Sequence, residues 1–486
     1  MGSVFLIIDC GSGGVKTFLL DPEGSILGRT ERNWSRENWA SDFAWKMIVD
    51  AVLDLLQDVD PFQIKAVCST SMRQKFVLVD KKGKEIEYTL SPESKEFGKN
   101  LIEAFGERMY DVSGHWPIPN RIAGAVIPWL RETDPFRLDH TEHLLMVSDW
   151  VNMKLTGERC TEGTSACETA LYNIKANAWD MGIINDLELP NNIFPAVKYN
   201  GENLAEVKTD IANLFGLHKG TPVIIGGADT QCGLLGNGAK RFDYASIGGT
   251  TTPVQMITDF PIFDRERRTW TNNFFQAGSW IIESNAGSTG KALRWLKEKI
   301  SKIDYDELNK LAKITPKGSN GVQCFLGCHL FDAGPPYWEK DRLGDMDMLP
   351  MIVGNNSFDL GDLARSIIES NCYAVKANVE QLKEITGRTP DELIFCGGNS
   401  KSKIWAQIQA DVLGIPLKIP RIRDSTAVGA AILAAVGTGF YDNLETAVSN
   451  MVDYTPIVIP EKDATEIYFD LYKKWMDTRR SMGRKQ

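Results

Sequence analysis

The chain has 486 residues, 43% hydrophobic and 24% charged, which is ordinary globular usage and enough for roughly two to three domains with sizeable cores. A net charge of −10 and a pI of about 5.3 argue against a nucleic-acid partner while leaving a small anionic ligand open. Nine cysteines without a CxxC pair predict reduced thiols in a cytoplasmic protein, and no apolar run approaches the roughly 20 residues that span a bilayer.

Residues 4–29, VFLIIDCGSGGVKTFLLDPEGSILGR, read as a buried strand (Val4–Asp9), a glycine-rich turn (Gly11, Gly13, Gly14), a second strand (Val15–Leu20) and a turn at Asp21–Gly24. The first apolar run is cut by Asp9 and has no basic lead, so it predicts a strand and not a secretory signal. Successive N–H groups at such a turn can wrap a phosphate. Lys16 then supplies a positive charge from the following strand, and Asp9 is placed to hold a magnesium ion through water. An ordinary glycine hairpin with a capping Asp has the same pattern.

Phe43, Met47, Val49, Val52, Leu53, Leu55 and Leu56 fall at helical spacing over residues 43–59, with Ser41 or Asp42 as the expected cap. Ile64–Ser69 is then a strand whose carboxyl end carries Ser69-Thr70-Ser71-Met72-Arg73-Gln74, where open α/β sheets hold ligands. Arg73 and Gln74 can bind the hydroxyls of a polar substrate; Arg73 equally fits a salt-bridged surface residue. Phe76–Asp80 and Glu85–Tyr88 predict a hairpin. Over residues 144–157, Ser148 is the expected N-cap, Asp149 lies in the first turn and Gly157 closes the helix. Asp149 there either binds substrate hydroxyls or complements the helix dipole. The polar, small-residue stretch Thr161–Asn173 reads as a loop bordering a pocket.

The middle of the chain, Pro222–Thr252, organises the rest. Val223–Ile225 is a buried strand breaking at Gly226-Gly227, and Asp229 follows where a strand end meets a helix start. A carboxylate at that point can be a general base facing a bound phosphate, or a simple helix cap. Gly248-Gly249-Thr250-Thr251 is a second glycine turn, and Ala245–Ile257 around it repeats the opening strand–turn–strand pattern. Two such hairpins, one in each half, would clamp a nucleotide between them.

Further on, Ala286–Leu296 begins with glycines and continues as an amphipathic helix, residues 331–348 form a loop of Pro, Gly and aromatics, and Leu360–Ile385 has long helical spacing. In 393–419 a strand ends at Gly397-Gly398, Ser400 or Ser402 caps the next helix, and Gly414 closes it. Glycines at such a junction let a ring or phosphate approach the backbone. Thr426–Val436 is nearly all small residues and predicts close helix packing, while the basic tail 467–486 predicts an exposed closing helix. Cys324, Cys328 and His329 are close in sequence but lack a fourth metal ligand.

Together, DCGSGGVK (9–16), SDWVNMKLTGE (148–158), GGADTQCGLLGNG (226–238), IGGTTT (247–252) and FCGGNSKSKIWAQIQADVLGIPL (395–417) resemble the FGGY family of carbohydrate kinases. The motifs occur in family order over nearly the whole chain. Within the family, SMR (71–73), SDW (148–150) and GGNSKSKIW (397–405) are most similar to the autoinducer-2 kinase branch.

The resemblance implies an α/β fold of two actin-like (ribonuclease H-like) domains with the nucleotide and substrate in the cleft between them. The domains would span 1–243, on the sugar side, and 244–486, on the nucleotide side. By position, Asp229 is similar to the family's catalytic base. Asp9 and Asp229 would face Mg²⁺, while Gly11, Ser12, Gly13, Lys16, Gly249 and Thr250 would hold the phosphates of ATP. Gly290, Gly397, Gly398 and Ser402 would surround the nucleoside, and Met72, Arg73, Gln74 and Asp149 would face the sugar. Three departures stand out: Ser12-Gly13 where the family has Thr-Ser, Arg73-Gln74 where the branch has Arg-Glu, and YTLSPES (88–94) without the family's Asp-x-Arg. The last two fall where the substrate is expected.

The expected function is therefore ATP-dependent phosphorylation of a terminal hydroxyl of a small sugar, ketose or polyol, with no nucleic acid or membrane partner and with a homodimer as the expected assembly. The alternative is a non-catalytic actin-like nucleotide-binding protein.

Overall fold

The structure is a computed structural model that describes residues 2–34, 39–275, 278–334, 351–354 and 357–483. Of the loop expected over 331–348 only residues 331–334 fall within that range, and residues 484–486 of the tail fall outside it.

Two six-stranded sheets dominate. The first is built from β1 (Val4–Gly11), β2 (Gly14–Leu20), β3 (Ile26–Asn33), β4 (Ile64–Ser71), β5 (Asn203–Glu206) and β6 (Pro222–Ala228), in the order β5-β6-β4-β1-β2-β3. The second is built from β7 (Tyr244–Ile247), β8 (Pro253–Thr258), β9 (Trp270–Asn273), β10 (Trp280–Asn285), β11 (Leu393–Cys396) and β12 (Leu417–Lys418), in the order β9-β10-β8-β7-β11-β12. In each, a three-stranded antiparallel meander is extended by two parallel strands: β3-β2-β1-β4-β6 matches β10-β8-β7-β11-β12. The repeat read from the two glycine turns is thus a duplication of the whole ribonuclease H-like sheet. Central β1 is apolar on both faces because helices cover both, whereas edge strand β3 is half-buried or exposed throughout.

Helix α1 (Ser41–Leu55) covers β2 and β3, and α2 (Val147–Thr156) packs on β4 and β6. The caps differ from expectation. α1 begins at Ser41 behind Ala40, which makes no side-chain cap. α2 begins at Val147, with Met146 as N-cap and Ser148 already inside the first turn; the Ser148 N–H donates to the Ser71 hydroxyl at 2.9 Å, and the Asp149 carboxylate accepts from the Met146 N–H at 3.1 Å. Phe76–Val79 and Glu85–Ile86 form the expected hairpin, with His143–Met146 added on the other side. Thr161–Asn173 is not an open loop. Glu162 accepts the N–H groups of Thr164 and Ser165 and winds the stretch into buried helical turns, Gly163–Ala166 and Cys167–Thr169.

Helix α3 (Asp229–Gly236) follows β6, and α4 (Thr289–Trp295) follows β10. The long helix α5 (Leu360–Thr386) and α6 (Lys403–Leu413) pack together in the core of the second half. Helix α7 (Ser425–Gly437) crosses α3 at backbone distance and lies against β1, β4 and β6, on the sheet of the first half. One buried cluster joins Phe5, Ile7 and Ile224 of the first sheet to Ala245, Ile257 and Ile394 of the second through Cys232, Leu234, Leu235 and the alanine-rich α7. The closing helix α8 (Lys462–Gly483) is more embedded than its charge suggests: Tyr468, Tyr472 and Trp475 are buried, with Trp475 stacked on Phe325. Among the described residues, no helix is long and apolar enough to cross a membrane.

Candidate active site in the cleft

The parallel strands β1, β4 and β6 bring their carboxyl ends to one edge, with Asp9 in register with Thr70 and Ala228 with Ser71. The Met72 N–H donates to the Cys10 carbonyl at 2.8 Å, which ties the Ser71–Gln74 turn to the end of β1. Asp229 is the first residue of α3, but it does not cap that helix. Ala228 is the N-cap residue, and the Asp229 carboxylate accepts from the Thr230 hydroxyl at 3.1 Å. The carboxylate is left facing the cleft. Burial raises its pKa, and the Arg73 guanidinium works against that rise.

Asp9 is pushed up to about 7, first by burial and then by the negative charge of Asp229, with Lys16 opposing. Lys16 stands directly across the β1–β2 register from Asp9. Asp424, the N-cap residue of α7, adds a third carboxylate close enough to raise Asp9 further. Two facing carboxylates whose ionised forms are disfavoured make a donor set that a hard, oxygen-seeking divalent cation would complete.

Ser12 and Gly13 form the exposed tip of the β1–β2 hairpin, closed by the Gly11–Gly14 pair. On the second sheet the turns lie close together. The Gly249 N–H donates to Thr251, the Gly248 N–H to the Cys396 carbonyl at 2.8 Å, and the Asn399 N–H to the Gly248 carbonyl at 2.9 Å. A Cβ at Gly290 would lie 2.1 Å from the Gly249 carbonyl oxygen, and one at Gly397 2.5 Å from that of Gly248, so both positions need glycine. Gly249, Thr250, Gly290, Gly397 and Gly398 are thereby gathered at one end of the sheet. Thr289, which the sequence reading missed, ties them: its hydroxyl meets that of Thr252 at 2.5 Å and accepts from Asn399 at 3.2 Å. Ser402 is engaged elsewhere. It caps α6 by accepting from the Trp405 N–H, and its hydroxyl pairs with Asn309 at 2.8 Å.

On the first half, Arg73 is not at the surface. Its Nη1 donates to Glu168 (3.1 Å) and to Glu283 (2.8 Å), and its Nη2 to the other oxygen of Glu283 (3.0 Å). Glu283 belongs to β10, so this pair joins the two halves. Gln74 has a left-handed backbone (φ 69°), unusual outside glycine, and donates to Glu168 at 3.2 Å. Met72 is buried beside them. The sequence reading missed Glu168, Glu283 and Gln255. The signal was a lone acid in each of two otherwise uncharged stretches, TSACETA and WIIESN. The Asp149 carboxylate is turned to its own helix start and buried next to Glu162, whose charge, after burial itself, raises its pKa. Its geometry fits the helix reading.

Among the described residues, the one trio with ligand atoms within 4.8 Å is His115, Cys167 and Glu168, not Cys324, Cys328 and His329. Both Glu168 oxygens are taken by Arg73 and Gln74, and burial holds the Cys167 thiol protonated.

Two ribonuclease H-like halves facing each other across such a cleft define an actin-like two-domain fold. Residues 4–236 match the N-terminal domain, and residues 244–438 the C-terminal domain, of the FGGY family of carbohydrate kinases. The chain belongs to that family and is an ATP-dependent phosphotransferase acting on a sugar hydroxyl; the non-catalytic alternative gives way. It is 26% identical to the autoinducer-2 kinase of Enterobacter sp. (strain 638), over 97% of this chain and 93% of that one. Its fold is similar to a ligand-bound xylulose kinase (TM-score 0.87, 17% identity, covering 99% and 98% of the two chains) and a gluconate kinase (0.85, 18%, 99% and 98%), both from Lactobacillus acidophilus.

Proposed function

We propose that the chain transfers the γ-phosphoryl of ATP to a terminal hydroxyl of a small sugar, ketose or polyol, with an autoinducer-2-like or pentulose acceptor as the leading candidates. The observation that carries the reading is the placement of Asp229: at a helix start, not spent on capping, between Asp9 and Arg73.

In this reading Asp229 orients the acceptor hydroxyl and receives its proton late, as suits a loose phosphoryl-transfer transition state. The raised pKa of Asp229 suits that role, because a carboxylate with a higher proton affinity is a better base. Asp9, with Asp229, would hold Mg²⁺, which when bound supplies charge neutralisation for the phosphates. Gly11, Ser12, Gly13 and Lys16 hold phosphates from the first half; Gly249 and Thr250 do so from the second. Gly290, Gly397 and Gly398 leave room for the nucleoside against bare backbone, and Ser402 shapes that wall as a helix cap. Met72, Arg73 and Gln74 face the acceptor, with Asp149 supporting them from α2.

The same reading assigns residues 1–243 and 244–486 to the two domains, a homodimer as the assembly, and the cytoplasm as the compartment where ATP is available. The test is ADP release from a panel of pentuloses, polyols, gluconate and the autoinducer-2 precursor. Absence of ADP release with every acceptor would sink the proposal.

A further inference from the structure

The solved neighbours named above include one kinase named for a ketose and one for a sugar acid, so the fold does not choose between a neutral and an anionic acceptor. The side chains around Arg73 do. They form a continuous chain across the two halves: Gln74–Glu168–Arg73–Glu283–Gln255, with Gln255 Nε2 donating to Glu283 at 2.6 Å and Gln74 Nε2 to Glu168 at 3.2 Å. Both glutamates are fully buried, and the Arg73 side chain is 14% exposed.

Each link fixes the next. A guanidinium has five N–H donors. Three of the Arg73 hydrogen bonds go to the two carboxylates, and that spends its positive charge. The carboxylates also orient both amides. An ionised Glu accepts only, so each Gln must turn its NH₂ towards it and its carbonyl oxygen away. The Gln74 Oε1 and Gln255 Oε1 atoms that result are buried and have no protein partner. What an acceptor meets at Arg73 is therefore its spare guanidinium N–H groups, with the positive charge behind them already matched by two buried carboxylates. A hydroxyl oxygen can accept from those N–H groups without bringing a charge of its own. A carboxylate would enter beside Glu168, Glu283 and Asp229 with a single guanidinium already shared among them.

We propose that Glu283, supplied by the second half, is a positioning and specificity-determining residue that, with Glu168, neutralises Arg73 and restricts the acceptor to an uncharged sugar or polyol. The proposal rests on the kinase reading above and adds the charge class of the acceptor.

The experiment measures kcat/KM with matched acceptors of equal length, each polyol against its aldonate: xylitol with xylonate, glucitol with gluconate, and D-xylulose as the neutral ketose. The wild-type chain is expected to favour the neutral member of each pair. Glu283→Gln keeps the shape and a hydrogen bond to Arg73 but frees its charge. It should shift the aldonate-to-polyol ratio towards the acid by roughly 10–100-fold, the range of one charged hydrogen bond. A variant that merely loosened the fold would lower both members alike and leave the ratio unmoved. Glu168→Gln makes the same test from the first half should Glu283→Gln fail to fold.

A wild-type chain that uses aldonates as well as polyols, or a Gln variant with an unchanged ratio, overturns the inference while leaving the kinase standing. No turnover of any acceptor, including the autoinducer-2 precursor, sinks the kinase reading and this inference with it.

Discussion

Gly429 of α7 lies directly on the Cys232 carbonyl of α3: a Cβ added there would sit 1.9 Å from that oxygen. Gly236 makes the reciprocal approach, to the Ser425 carbonyl, also at 1.9 Å. The helix bearing Asp229 is thus held by backbone contact, and one methyl group must push the two helices apart. Gly429→Ala should cost about 3 kcal/mol or more, at the top of the range for overpacking. Gly387, at the end of α5, has a left-handed φ of 69° but nothing within 4 Å, so alanine there costs only roughly 1 kcal/mol of backbone strain. Urea midpoints of the two variants check the contrast; equal shifts would mean the crossing is not tight.

For Asp229, the capping and catalytic readings now predict opposite results. Asp229 is not the N-cap residue of its helix, and its ionised form is disfavoured in the fold. Asp229→Asn should therefore lower kcat by roughly 10²–10⁴-fold and leave the melting temperature unchanged or raised. A fully active Asn variant would remove Asp229 from the mechanism.

Arg73 is both a ligand of the acceptor in our reading and, among the described residues, the only cation hydrogen-bonded to two buried glutamates. Arg73→Ala leaves both carboxylates without a counter-charge, each with one Gln amide as donor, and should cost about 3–5 kcal/mol of stability. It should also raise the KM of the acceptor more than that of ATP. Adding Glu283→Gln removes one stranded charge, so the double variant should be more stable than the single one. Additive losses in unfolding measurements would mean that the two residues do not couple.

Asp149 gives a pH signature. Its pKa is held well above the ordinary value by burial and by the Glu162 charge, so the native state binds that proton more tightly than the unfolded chain does. Its contribution is then fully present below pH of about 4 and declines as the pH rises towards the native pKa. In Asp149→Asn the stability difference between pH 5.5 and pH 8 should shrink, with the acceptor KM within about twofold of wild type, since the cap and not the sugar is its partner. A large rise in that KM would return Asp149 to the sugar.

What the sequence makes legible follows from range. The glycine turns, Asp229 at a strand-to-helix junction and the echo of Val4–Leu20 in Ala245–Ile257 are local patterns, and the structure has them in place. The Gln74–Glu168–Arg73–Glu283–Gln255 chain joins five positions from four separate segments, and no spacing rule reaches across them. The start of α2 slipped for a related reason: Ser148 reads locally as a cap but sits inside the first turn, its N–H held by the Ser71 hydroxyl, seventy-seven residues away. The basic tail hid Tyr468, Tyr472 and Trp475, which face the core while the lysines face water.

The exchange of α7 onto the first sheet has a consequence for how the protein is made. Phe5, Ile7, Phe18 and Leu20 are covered by a helix that begins only at Ser425, so during translation at about 5–20 residues per second that face stays bare for on the order of half a minute. The nascent first half should depend on chaperones, and a gene cut at the 243/244 junction should yield an insoluble amino-terminal product. Supplying residues 244–486 in trans should recover soluble protein. If the 1–243 fragment is monomeric and soluble alone, the covering helix is dispensable to it.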